Sequence, residues 1–137
     1  MHFSGRELIF LGLTPTAAML LAASYRRLRN DRIVFVLIIL CVSLAIWGIY
    51  LRSPEFEMKG GNAADSLYSP LIYILTYATL RYLFKKKYGF EPTYYKHSWY
   101  DPVEKRDQNW FDIVVLMLPF LLAVFIPAII HLLMKSQ

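Results

Sequence analysis

Ile33–Leu51 reads IVFVLIILCVSLAIWGIYL, an uncharged run that only Ser43 and Gly48 interrupt. A buried helix of a soluble domain keeps a polar stripe toward water, and this run has none. At ~1.5 Å rise per residue it is long enough for a hydrocarbon core of ~30 Å. Three more stretches share its character: Leu8–Ser24, Leu67–Phe84 and Phe111–Met134. Together the four hold 78 of 137 residues, and their only charges, Arg81 and Asp112, lie near span ends. The pattern predicts an all-α integral membrane protein, one four-helix domain over residues 1–137.

Composition narrows the alternatives. With 57% apolar or aromatic residues and a mean hydropathy of +0.39, a disordered chain is excluded. A single cysteine, Cys41, excludes an internal disulfide framework. It falls mid-span with no charge to activate it, so it is expected to be an inert packing thiol. Ala22-Ala23-Ser24 imitates a signal-peptide cleavage site. However, Arg6 is cancelled by Glu7, and four arginines follow the apolar run. The first stretch is therefore expected to be a retained span.

The net charge of +5 acquires meaning from its placement. Arg26, Arg27, Arg29 and Arg32 lie in loop 25–32, and Lys85, Lys86, Lys87, Lys96, Lys105 and Arg106 in loop 85–110. The opposite side holds only Arg6, Arg52, Lys59 and Lys135. The positive-inside rule then makes the two basic loops cytoplasmic, with both termini and loop 52–66 outside. This is a multi-pass protein of a bacterial-type inner (plasma) membrane. Basic residues that bracket spans do not form the basic face a nucleic acid needs. Lys85, Lys86 and Lys87 are expected to meet anionic lipid headgroups. The spans pair as two antiparallel hairpins, and the eight-residue first turn predicts that spans one and two are packing neighbours.

Several local features anticipate bends and caps. Gly12, Thr14, Pro15 and Thr16 predict a kink at a helix contact, with threonine hydroxyls satisfying freed carbonyls. Pro119 and Pro127 predict two bends in the last span. Asn109 with Asp112 three residues later resembles a capping box.

The third span carries the most information. At 100° per residue, Ser66, Ser69, Tyr73, Thr76 and Tyr77 share one face, and Arg81 continues its edge. Leu71, Leu75, Ala78 and Tyr82 form the opposite face. Hydroxyls in hydrocarbon want partners, so the stripe should meet other helices, a partner's helix or a small hydrated cavity. Arg81 is expected to snorkel to the interface beside Lys85.

The long loop reads KKKYGFEPTYYKHSWYDPVEKRDQNW, with six basic, four acidic and seven aromatic residues. Gly89, Pro92 and Pro102 break it into short pieces. Asp101 is placed to cap a helical turn over residues 102–107. Tyr94, Tyr95, Trp99 and Tyr100 suit either the headgroup boundary or a protein docking surface.

Reactive constellations are missing. His97 with Asp101 and Glu104 lacks a second His or Cys nearby for a metal site. His2 and His131 share the outer side without further ligands. No span has a central Asp, Glu or Lys, and there is no P-loop, HExxH or G-x-S-x-G. The expectation is a protein without cofactor, metal or catalysis of its own. It would bind lipid and a membrane-protein partner or further copies of itself, as an accessory subunit of a complex or an immunity-type protein against a membrane-inserting toxin. The competing expectation is a small oligomeric channel or facilitator lined by the polar face of span three.

Overall fold

The computed structural model describes residues 4–59, 61–95 and 98–135, the side chains at 134 and 135 excepted. The described chain is mostly helical. Its four helices are α1 (Gly5–Ser24), α2 (Asp31–Leu51), α3 (Ser69–Tyr88) and α4 (Trp110–Lys135). Two two-residue hairpins occupy the long connections: β1 (Glu57–Met58) with β2 (Gly61–Asn62), and β3 (Tyr100–Asp101) with β4 (Arg106–Asp107).

The helix ends follow from their sequence. Ser4 and Glu7 form a reciprocal capping box at the start of α1. Asn30 accepts the Arg32 N–H at the start of α2. At α4 the Asn109 N–H donates to Asp112 Oδ2 at 2.7 Å, which is one half of the expected box, while the Asp112 N–H meets the Asn109 backbone carbonyl at 3.0 Å. α3 ends at Gly89, whose φ of 76° is left-handed and whose N–H closes on the Lys85 carbonyl. The third helix thus runs to Tyr88, and Lys85, Lys86 and Lys87 belong to its last turn rather than to the following loop. Basic side chains suit that negative helix end.

α1, α2 and α4 are each long and apolar enough to cross a membrane. α3 has comparable length, but its hydroxyls and basic last turn leave it short of their hydropathy. Its position compensates, because α3 packs against α1, α2 and α4, which cover its polar face and leave mainly Leu75, Tyr82 and Leu83 exposed along the rest of its apolar length. The outward residues of the peripheral helices are apolar: Phe35, Val36, Ile39, Leu40 and Ile49 on α2, and Phe125, Ile129, Leu132 and Leu133 on α4, are all exposed. A water-soluble protein would place polar groups there, so the helices suggest a membrane protein.

One expectation is overturned. α1 and α2, joined by a short turn, make at most marginal contact with each other. A 3-10 segment, Ala63–Tyr68, lies between the N-terminal half of α1 and the C-terminal half of α2, with Ala63, Ala64 and Leu67 buried against Leu8. Part of the expected outer loop is therefore core. Turn length fixed direction but not distance, and the wedge sets the distance. Ser66 Oγ donates to the Leu8 carbonyl at 2.9 Å and to the Ala63 carbonyl at 2.7 Å. The approach is close enough that a Cβ on Gly12 would fall 2.1 Å from the Ser66 carbonyl oxygen. The expected small-residue contact at Gly12 is this one. Thr16, fully buried, donates its hydroxyl to the Gly12 carbonyl at 2.8 Å. The acceptor is thus one residue beyond Leu11, whose carbonyl Pro15 deprives of a donor.

Below the wedge, the main core gathers Met19, Leu28, Cys41, Tyr73, Ile74, Tyr77, Phe84 and Val115. Cys41 is buried among them as a free thiol.

Gly12→Ala should force α1 away from the wedge and cost about 1–3 kcal/mol, the range for overpacking a filled contact. Gly5→Ala, whose added Cβ would meet Ala63 at an ordinary 3.5 Å, should stay within about 0.5 kcal/mol. Thermal unfolding in detergent, read by circular dichroism, separates the two.

Candidate functional site

The loop after α3 is a folded cap, clasped by four arginines. Arg26 donates through Nη2 to Asp101, which also accepts the Thr93 hydroxyl. Arg29 reaches Glu104 and, at 3.0 Å, the Pro92 carbonyl. Arg81 donates Nε and Nη2 to the two oxygens of Glu91, each at 2.8 Å. It also donates to Asp31 at 2.8 Å and to the Arg29 carbonyl at 2.6 Å. Arg106 grips both oxygens of Asp112, at 2.7 and 3.0 Å, and the Glu91 carbonyl at 3.1 Å. The Thr93 N–H completes Asp112 at 2.9 Å. Pairs from α1's turn, α2, α3, the long loop and α4 thereby meet at one end of the bundle.

This changes the expected role of several residues. Arg81 does not snorkel beside Lys85: it is buried and turned inward onto Glu91, because paired carboxylates offer its guanidinium more than the interface does. Asp112 does more than cap α4, since it anchors the loop at both ends. Asp101 accepts the N–H groups of Val103 and Glu104, as a cap would, but residues 102–105 form the turn of the β3–β4 hairpin rather than a helix. Two left-handed residues, Arg26 (φ 63°) and Lys105 (φ 52°), mark the turns that the clasp holds in place. A conformation costly for a side-chain-bearing residue persists at Arg26 where its ion pair secures it.

The polar stripe is interior. Ser69, Tyr73, Tyr77 and Arg81 are buried, and Thr76 is half-buried. On the opposite face, Leu75 and Tyr82 are exposed. The Tyr73 and Tyr77 rings stack with centroids 6.1 Å apart and planes within 5°. Tyr73 Oη has no partner among the described residues. The cavity where Tyr77 meets Thr93 and Asp112 is about 10 Å³, at the lower limit for a single water.

The loop aromatics divide into two groups. Trp99 and Tyr100 are exposed, and Tyr25 and Trp110 extend the same end of the molecule with further exposed rings. Tyr94 and Tyr95 are half-buried and line a groove of about 560 Å³ between α1 and α4, with Leu20, Leu21, Leu116, Met117, Val103 and Arg26. Lys85, Lys86 and Lys87 are exposed; Lys85 bonds Glu91 at 3.1 Å, and Lys87 stands over the Phe111 ring at 4.8 Å. His2 and His97, weighed as metal ligands, and Lys96, counted among the basic loop residues, lie outside the described residues. Among the described residues no group of three His, Cys, Asp or Glu is placed to hold a metal.

Of the carboxylates in the clasp, sequence reasoning gave Asp101 and Asp112 only capping roles, set Glu104 aside with the metal reading and left Glu91 without a role. Glu91, Asp101, Glu104 and Asp112 share a side with an excess of arginine, which was the available signal. Their partners lie as far as 75 residues away in the chain, so spacing could not pair them. Hydrogen bonds from Arg81 hold Glu91 at about 2, below the usual carboxylate range and against the opposing effect of burial. Burial alone would raise Asp101. Donors from Thr93, Arg26, Val103 and Glu104 together outweigh it and bring the carboxyl to about 2.

Removing one partner of a buried pair strands the other charge, so Arg81→Ala should cost about 3–5 kcal/mol. Asp31→Ala, at a side chain 89% exposed, should cost about 1 kcal/mol or less. Urea unfolding of the two variants in detergent tests the contrast. A pH dependence also follows. Both carboxylates have lower values folded than unfolded, so their stabilisation is complete above the ordinary 4.5 of Glu91 and 3.8 of Asp101. It is lost as the pH falls toward about 2. Fluorescence of Trp99 and Trp110 should therefore hold steady from about pH 8 to 5 and change only below that.

Against known proteins, no family model matches the chain, and neither a curated protein nor a solved structure matches it.

Proposed function

We propose that the chain is a four-span protein of a bacterial-type inner membrane that binds another membrane protein without catalysing a reaction. In this reading α3 also spans the membrane, as the third of the four, and the clasped end faces the cytoplasm. The partner would be a larger membrane complex, with this chain as accessory subunit, or a membrane-inserting toxin that it neutralises as an immunity-type protein. The supporting observation is the pair of exposed rings Trp99 and Tyr100 on a loop braced by ion pairs, with exposed Tyr25 after α1 and Trp110 at the start of α4 at the same end. Rigid aromatic anchors are what protein interfaces draw their affinity from, and ordering them beforehand lowers the entropic cost of association.

An oligomeric channel lined by Ser69, Tyr73, Thr76 and Tyr77 has less in its favour. Those side chains are turned toward the protein's own helices, and α3 would have to leave its central place to line a shared pore.

The proposal is tested by a mild-detergent pull-down of the full chain from native membranes, alongside flux measurements in liposomes. One stoichiometric partner is expected, bound at least tenfold more weakly after Trp99→Ala or Tyr100→Ala, since an aromatic anchor is worth about 2 kcal/mol. Solute flux that Tyr73→Phe, Thr76→Val and Tyr77→Phe abolish in a folded protein would establish the channel instead.

A further inference from the structure

We propose that the groove between α1 and α4 holds one acyl chain of an anionic phospholipid, with the lipid phosphate on Arg26. The inference needs the bilayer setting of the proposed function but not its protein partner. Leu20, Leu21, Leu116, Met117 and Val103 form the apolar part of the lining, and Ser24, Tyr25, Arg26, Tyr94 and Tyr95 the polar part. Leu21 and Met117 are exposed on the flanks of the groove, so it opens sideways, where a neighbouring lipid lies. Its depth fits as well: Leu20 and Leu21 are one turn from the end of α1, and Leu116 and Met117 two turns from the start of α4. That is the level at which headgroup gives way to hydrocarbon.

Charge selects the headgroup. Through segments 25–32 and 81–112, eleven basic residues face six acidic ones, whereas the rest of the chain carries four of each. Apart from Lys96, which lies outside the described residues, these charges sit at the end where the groove opens and leave it a net charge of +4, ten basic against six acidic. Arg26 lines the groove with only its Nη2 engaged among the described residues, by Asp101 and Thr93. The remaining edge of the guanidinium suits a phosphate, which accepts the parallel N–H donors of an arginine fork. The Tyr25 and Tyr94 side chains add a polar rim for glycerol and ester oxygens. A second copy is a poorer occupant, because it would bring the same basic end against this one.

The test uses the full chain in mild detergent, titrated with dioleoyl phosphatidylglycerol or dioleoyl phosphatidylcholine and read by native mass spectrometry. One phosphatidylglycerol should be retained at about fivefold lower concentration than phosphatidylcholine, the factor that ~1 kcal/mol per basic residue near the headgroups supplies. Leu21→Trp with Met117→Trp fills the groove from exposed positions and should remove that preference while helicity is kept. Should the double variant unfold, Val103→Trp on the hairpin turn, 67% exposed, narrows the groove without touching a helix and should act alike. Equal retention of the two lipids would overturn the proposal, as would a preference that survives every folded groove variant. A dimer that lipid dissociates would assign the groove to a second copy and overturn it too.

Discussion

A guanidinium withdrawn from water must be matched by acceptors, or the fold containing it does not form. Four arginines meet this constraint at one end of the bundle, and the arrangement of that end follows from it. Arg81 can be buried because Glu91 folds back from the loop and Asp31 opens α2 beside it. Asp112 can be buried because Arg106 returns across the hairpin. Arg26–Asp101, Arg29–Glu104 and Arg81–Asp31 join segments 50 to 75 residues apart. Arg81–Glu91 and Arg106–Asp112 tie the loop to its own flanking helices, so the loop cannot be repositioned without exposing several charges together. The rigid cap, the display of Trp99 and Tyr100, and the groove beside Arg26 all derive from that one requirement.

The opposite end is held differently. There the backbone of the Ala63–Tyr68 segment approaches α1 at Gly12, and small side chains rather than charges set the distance. Close packing of this kind tolerates no added methyl group, whereas the ion-paired end tolerates no lost partner. The two ends therefore fail under different perturbations: one to volume, the other to acid or to loss of charge.

The helices were legible because apolar runs and caps are local. The Ile33–Leu51 run, the Asn109–Asp112 pair and the inward face of Ser69, Tyr73 and Tyr77 depend on residues within a few turns of one another. The wedge was not legible, since AADSLY carries no apolar length and its burial depends on Gly12, some fifty residues earlier. The clasp was not legible for a similar reason. A basic loop looks the same to a counting rule whether its arginines meet lipid or carboxylates, and only the fold distinguishes the two. The groove needed α4 beside α1, a contact between the ends of the chain that no periodicity encodes.

The slot between α1 and α2 has a consequence for how the chain is made. Synthesis delivers α1 and α2 first, and in the finished structure they scarcely touch. The emerging hairpin is therefore an open clamp, with Leu8, Gly12, Thr16 and Cys41 on walls that nothing yet covers. The Ala63–Tyr68 wedge fills its open end and α3 the rest, and α3 is the least apolar of the four helices, the one that lipid alone would welcome least. On the four-span reading, α3 finds in that waiting clamp the protein surroundings its hydroxyls and Arg81 require. Order of translation and order of assembly would then coincide, the first two helices being present before the third needs the surface they offer.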